Sequence, residues 1–436
     1  MLSYREALEF IEGVGKFGIK LGLQNIIRLL ELLGNPQEGL KIIHVAGTNG
    51  KGSTCAMIDS ILRTAGYRVG LYTSPYLEVF NERIRVDGSN IPDDDVARLT
   101  EKIKEAVKEM EARGWGVPTE FEVVTALGFL YFQEQNVDFL VLEVGMGGRY
   151  DATNVITPLV SVITPISYDH QQYLGNTLRE IAGEKCGIIK QGVVAVTAPQ
   201  MPEAMMVIED TCRKLNSPLV KVEQEARYRL LDWGVEGQIF DLKTSKNEYD
   251  RLQIKLLGDH QLDNAATAVV AVEALERYGI NLSHDAVRMG LLRARWPGRL
   301  EILKTNPYVL IDGAHNPSGI RVLKDAILKY FPGKKVILVI GILEDKDYVS
   351  MLEEIVPIAE AVVATKPDSP RALSASALEA SIRSLSLRKM PKIFSSDNIE
   401  EAIDAAFNMA GADDLIVFAG SLYLVGTVRS LLKNLN

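Results

Sequence analysis

The chain has 436 residues, more than one hydrophobic core usually serves, and its 47% apolar and 24% charged content is that of a globular protein, so two folded domains are expected. A net charge of −9 argues against a nucleic-acid or anionic-membrane partner, while leaving room for a local basic pocket that holds a polyanion. Three cysteines (Cys55, Cys186, Cys212) without a CxxC pair argue against a disulfide framework or a zinc site, and the charged start MLSYREALEF and the lack of a spanning apolar run point to a soluble, cytoplasmic protein.

Short β-rich apolar runs alternate with helical patterns, as in parallel α/β units. Strands are predicted at Lys41–Ala46, Arg68–Thr73, Val137–Val144, Leu159–Thr164 and Val193–Thr197, with helices over Asp93–Arg113 and Glu120–Gln135. Asp93 is placed as the cap of the first helix and Gly114 as its stop. From Tyr228 to Leu257 apolar and polar residues alternate, with glycines at 234 and 237 between runs, which predicts a small antiparallel patch. A helix over Asp263–Tyr278 closes the unit. Pro297 and Gly298 in WPGR then break the helical run before them, and a second α/β series follows, with strands at Tyr308–Ile311, Lys335–Ile340, Ala361–Thr365 and Leu415–Ala419. The predicted architecture is α/β in two domains. Residues 1–296 form a P-loop ATPase-like, mostly parallel sheet with an antiparallel patch, and residues 297–436 form a Rossmann-like α/β domain.

The run GTNGKGST at Gly47–Thr54 lies between an apolar stretch and a helical one, the layout of a phosphate-binding turn. Glycines at 47, 50 and 52 let the backbone approach a polyphosphate, the helix N-terminus favours negative charge, and Lys51 adds a cation. The strict nucleotide-loop pattern fails twice, because Val45 stands where its first glycine belongs and Gly52 separates Lys51 from the Ser53 hydroxyl.

The longer string HVAGTNGKGST resembles the ATP loop of folylpolyglutamate synthases and dihydrofolate synthases, within the wider superfamily of muramyl peptide ligases. Further matching motifs follow in order: YTSPYL at 72–77, FNERI at 80–84, LEVGMGGRYDATN at 142–154, DHQQYLG at 169–175, EKCGIIK at 184–190, GDHQLDNAATA at 258–268, WPGRLE at 296–301, DGAHNP at 312–317 and GSLYL at 420–424. The resemblance implies that Thr48, Asn49, Gly50, Lys51, Gly52, Ser53, Asn264, Arg299 and Asp312 hold ATP. It also implies that Ser74, Glu143, His170 and a carbamylated Lys185 surround Mg2+. Hard oxygen ligands beside phosphate suit magnesium, and a carbamate would turn the Lys185 cation into an oxygen anion. Without the family, Ser74 reads as a turn residue before Pro75, His170 as a surface partner of Asp169, Lys185 as a helix-surface lysine and DGAHNP as a polar turn.

On the same resemblance, ATP phosphorylates a substrate carboxylate and the amine of L-glutamate attacks the acyl phosphate, with Lys51, Lys185, Asp312 and His315 as the catalytic candidates. Asp312 or His315 would accept the proton of the amine or orient it. TEFE and RYDATN imply a pocket for folate or dihydropteroate through Thr119, Phe121, Asp151 and Ala152, with Arg83 on a substrate carboxylate and Ser421 at the incoming glutamate. Without the family, Phe121 near a helix start reads as a core aromatic, and Arg83 reads equally as half of a surface ion pair. Cys186 and Tyr150 depart from the commonest family pattern. The family suggests a monomer. Two other readings stand beside this one: a muramyl-type peptide ligase, which would need a separate N-terminal domain that the early position of the ATP loop leaves no room for, and a switch protein that binds nucleotide without ligation.

Overall fold

The structure, a computed structural model, describes residues 2–14 and 22–434, so the outer ends of the two expected units, residues 1 and 436, lie outside it. Strands β1 (Ile42–Ala46), β2 (Val69–Tyr72), β3 (Ile84–Val86), β4 (Ser89–Asn90), β5 (Phe139–Glu143), β6 (Val160–Ile163), β7 (Val194–Thr197) and β8 (Leu219–Lys221) form one sheet in the order β4-β3-β2-β5-β1-β6-β7-β8. From β2 to β8 the neighbours pair in parallel, while β3 pairs antiparallel with β2 and β4 antiparallel with β3. A parallel sheet is covered on both faces, which is why β1 (IIHVA) and β5 (FLVLE) carry almost unbroken apolar runs and are buried throughout. On one face Ile43 and Val45 meet Met57, Ile58 and Ile61 of helix Lys51–Thr64 and the inner side of helix His260–Glu273. On the other, Ile42, Leu140 and Leu142 pack against helices Asp93–Ala112 and Glu120–Glu134.

The alternating segment forms the antiparallel patch β9 (Ala226–Gly234), β10 (Gly237–Thr244) and β11 (Glu248–Ile254). Its buried side, with Phe240, Leu242, Leu252 and Ile254, joins the core that holds the phosphate-loop helix. After WPGR comes the second sheet, β12 (Glu301–Thr305), β13 (Tyr308–Ile311), β14 (Val336–Ile340), β15 (Ala361–Thr365), β16 (Lys392–Ser396) and β17 (Leu415–Ala419), ordered β12-β13-β17-β14-β15-β16. It is parallel except for β12, with helices on both faces. No helix among the described residues is long and apolar enough to cross a membrane.

Local expectations shift in three places. Pro92 takes the N-cap position expected of Asp93, and the Asp93 carboxylate in the first turn instead accepts a hydrogen bond from Asn81 Nδ2 at 2.9 Å. Gly114, at φ 69°, does end that helix. The helix expected over 263–278 begins at His260 and tightens to a 3₁₀ turn over Ala274–Tyr278. Strands β3, β4, β8, β12 and β16 went unpredicted because they are short or partly exposed edge strands without an apolar run.

Candidate active site

Ligands of open α/β sheets collect beyond the carboxyl ends of the strands, where the order reverses. Here β1 lies between β5 and β6, and the chain leaves all three at one edge. Gly47 follows β1, Ser74 follows β2 by two residues, Glu143 is the last residue of β5, opposite Val45, and His170 lies on the segment after β6.

Each glycine of the turn is required by a different protein neighbour. A Cβ on Gly47 (φ 154°) would meet Thr164 Oγ1 at 1.9 Å, one on Gly50 (φ 83°) Asn264 Oδ1 at 2.4 Å, and one on Gly52 the Trp296 indole at 2.5 Å. Asn264 also donates to Gln261 Oε1, and Gln261 Nε2 to Ser53 Oγ, so helix His260–Glu273 braces the turn. The backbone N–H groups of Thr48 and Asn49 donate to Pro165 O at 2.9 and 3.2 Å. The N–H groups left to face an anion are those of the first turn of helix Lys51–Thr64, which have no intrahelical acceptor. Lys51 Nζ rests 3.3 Å from Thr48 O.

Glu143 is 4% exposed, and Ser74 N donates to its Oε2 at 3.0 Å. Burial raises its carboxyl above the usual range, with Lys51, the Ser74 N–H and Arg299 pulling the other way. His170 is held neutral to about pH 4 by burial against the pull of Asp169, which leaves an imidazole lone pair for a metal. Lys185, 4% exposed, donates from Nζ to Gly47 O at 2.8 Å, and burial and Lys51 lower its pKa to about 7. A buried carboxylate, a neutral imidazole and a hydroxyl beside a phosphate turn are donors that fit magnesium, which takes few protein ligands. Among the described residues no three His, Cys, Asp or Glu side chains gather as a metal cage.

The second sheet meets this edge through the candidates Asn49 and His315 and through Asp169 and Lys346, which were not among the candidates. Asp169 Oδ1 accepts from Lys346 Nζ at 2.8 Å, and its Oδ2 lies 3.7 Å from His315 Nε2 and 3.3 Å from Asn316 Nδ2. Burial works against the Asp169 charge, but His315, His170 and Lys346 outweigh it and hold the carboxyl far below the usual range. Asn49 reaches across as well, bonded to Asn316 and Ser318. Asp312 accepts from Leu300 N and Ala314 N, one on each oxygen, so it clamps the WPGR turn onto β13. His315 Nδ1 lies 2.8 Å from Gly313 O, which assigns that nitrogen as the donor. Asp169 was visible beside His170 in DHQQYLG, and Lys346 follows the end of β14, the position where ligands gather.

Arg83, Thr119, Phe121, Asp151, Ala152 and Ser421 all line one cleft of about 1210 Å³, together with Ser74, His170 and His315. Thr119 caps helix Glu120–Glu134 in a box with Glu122, so TEFE is a helix start as well as a pocket wall. Phe121 lies where a Cβ on Gly145 would sit, 2.5 Å away, and packs edge-on with Tyr72. The Arg83 guanidinium stacks over Tyr76 at 5.1 Å. Ser421 Oγ accepts from Tyr423 N at the start of the last helix. Tyr150 and Tyr173, both about half exposed, stand along the same cleft.

The fold and this edge define an ATP-loop ligase of the Mur type: residues 45–272 match the Mur ligase middle domain, and 298–422 match the Mur ligase, glutamate ligase domain. The chain is 40% identical over 433 residues, 99% of each sequence, to the dihydrofolate synthase/folylpolyglutamate synthase of Bacillus subtilis. The crystal structure of Mycobacterium tuberculosis folylpolyglutamate synthase complexed with ADP and AMPPCP superposes with a TM-score of 0.90 at 35% identity, covering 98% of this chain and 99% of that one. Escherichia coli FolC in complex with DHPP and ADP gives 0.88 at 31%, covering 99% and 98%. The chain belongs to the dihydrofolate synthase/folylpolyglutamate synthase family.

Proposed function

We propose that this protein is an ATP-dependent ligase that joins L-glutamate to folates, with dihydropteroate as a second acceptor. The observation that carries the reading is the place of Ser74. With Pro75 and Leu422 it lines both the small pocket beside Gly52, Glu143 and Arg299 and the large cleft of Phe121 and Asp151, so a nucleotide on the turn and an acceptor in the cleft would meet beside it.

In this reading a carboxylate oxygen of the acceptor attacks the γ-phosphorus of ATP, giving an acyl phosphate and ADP. The neutral amine of glutamate then attacks the acyl carbon, an amide forms, phosphate leaves, and the amine gives up a proton. Two anions must approach, so Lys51 and Arg299 offset their repulsion while Asn264 and the turn hold the nucleotide in line. Ser74, Glu143 and His170, with a carbamate on Lys185, would hold magnesium, which when bound withdraws charge from the phosphate oxygens. A lysine with a pKa near 7 has much of its amine neutral, the form that adds carbon dioxide and releases a proton. An intact-peptide mass showing only unmodified Lys185 in active, bicarbonate-supplied protein removes that step. With both Asp312 oxygens committed to backbone, His315 is the better group to orient the amine.

We place the division between the units at 296/297, supported by the matched segments ending at 272 and starting at 298. The three buried free cysteines suit a reducing cytoplasm, and the family resemblance supports a monomer. The test is purified protein with ATP, magnesium and labelled glutamate, offered dihydropteroate and tetrahydrofolate in separate tubes. Label joined to at least one acceptor is expected, and label joined to neither overturns the reading.

A further inference from the structure

His44 occupies the middle of β1, three residues before the phosphate turn, at 0% exposure on a strand that is otherwise apolar. Its Nε2 lies 2.9 Å from Thr153 Oγ1, and the Thr153 hydroxyl is 2.5 Å from Asp151 Oδ1. A carboxylate only accepts, so the hydroxyl proton goes to Asp151 and the Thr153 oxygen accepts from His44. That assigns the imidazole hydrogen to Nε2 and leaves Nδ1 as a lone pair, which has no partner in its buried setting. An apolar residue here would bury no unsatisfied nitrogen, so the histidine costs stability where a valine or leucine would add to it.

The chain of bonds ends in the acceptor cleft. Asp151 Oδ1 takes Thr153 N at 3.0 Å as well as the hydroxyl, and Oδ2 takes Met146 N at 2.9 Å, so the carboxylate is held as the N-cap of the turn that carries Ala152. Both Asp151 and Ala152 line the cleft. We propose that His44 is a positioning residue that, through Thr153, orients Asp151 so that the acceptor position left on its Oδ2 takes a hydrogen bond from an N–H donor of the pterin. The inference rests on the ligase reading above and assigns a task to a residue that touches neither substrate nor nucleotide. It also ties the wall that reads the acceptor to the strand that ends in the ATP turn.

The experiment compares His44→Phe, which fills the space without a donor, with His44→Gln, whose amide N–H replaces the ring donor, and Thr153→Val, which removes only the hydroxyl. In steady-state assays with whichever of dihydropteroate or tetrahydrofolate the wild type uses, His44→Phe and Thr153→Val are expected to raise the acceptor KM by roughly 10-fold or more while the KM for ATP stays within about 2-fold. His44→Gln is expected to recover most of the loss, and the His44→Phe/Thr153→Val double variant to be no worse than either single one. An unmoved acceptor KM in folded His44→Phe or Thr153→Val protein, or equal losses toward acceptor and ATP, overturns the inference. Wild-type protein that ligates glutamate to neither acceptor overturns the ligase reading and this one with it, so the two failures are told apart by the first tube.

Discussion

Lys346 Nζ lies 2.8 Å from Asp169 Oδ1 across the seam between the two sheets, with the side chains 7% and 10% exposed. Removing one partner of such a pair leaves a buried charge, at a cost of about 3–5 kcal/mol before other groups compensate. His315 and Asn316 also face Asp169, so the lower end applies. Lys346→Met is expected to destabilise by roughly 3 kcal/mol, and Asp169→Asn/Lys346→Met by clearly less than the sum of the single changes. Chemical denaturation of the four proteins gives the coupling, and strict additivity would show the contact to be idle.

Gly52 admits the Trp296 indole, which a Cβ would meet at 2.5 Å. Gly52→Ala therefore overpacks the joint between the ATP turn and WPGR, at about 1–3 kcal/mol. The expected outcome is a changed tryptophan emission together with weaker ATP binding, read by fluorescence and calorimetry. Unchanged emission with intact affinity would contradict the packing described.

Glu143 and the fold have opposed interests. Glu143→Gln keeps an acceptor for the Ser74 N–H and removes a buried charge, so thermal stability is expected to hold or rise. Turnover is expected to fall by roughly 100-fold or more, because the carboxylate that would hold magnesium beside the phosphates is lost. A melting curve and a rate measurement on the same sample settle both halves.

His44 also sets a pH dependence. Burial first, and Lys190 second, lower its pKa to about 3, against the usual 6.5, so between those values the unfolded chain binds the extra proton. Stability from this residue is complete above the unfolded pKa and is lost as pH falls toward the folded one. Between about pH 7.5 and 5.5 the loss is on the order of 1 kcal/mol. Unfolding free energies of wild type and His44→Gln at the two pH values are expected to differ in slope by that amount, with the wild type steeper.

Much of this was legible in the chain. The interior strands of both sheets were readable because a strand buried on two faces needs a continuous apolar run, as in Phe139–Glu143 and Leu415–Ala419. Edge strands such as Lys392–Ser396 carry mixed faces and went unseen. Motifs pointed to Ser74, Glu143, His170 and the cleft wall of Thr119, Phe121, Asp151 and Ala152, since strand ends and glycine turns mark themselves locally. What could not be read is pairing at long range. Asp169 and Lys346 are 177 residues apart, Arg429 bonds Glu78 and Glu301 from the last helix, and the shape of Trp296 against Gly52 appears only when the sheets are set side by side. The same holds for Asp312, which looked like a candidate base and proves to be bonded on both oxygens.

The most direct test of two lobes joined over one nucleotide is coupling. ADP release from ATP and magnesium is measured with folate acceptor and L-glutamate present together, and with each left out. The expected result is full release only with both, one ADP for each amide formed. Release that continues at the same rate without acceptor and glutamate would contradict the ligase and leave a nucleotide switch in its place.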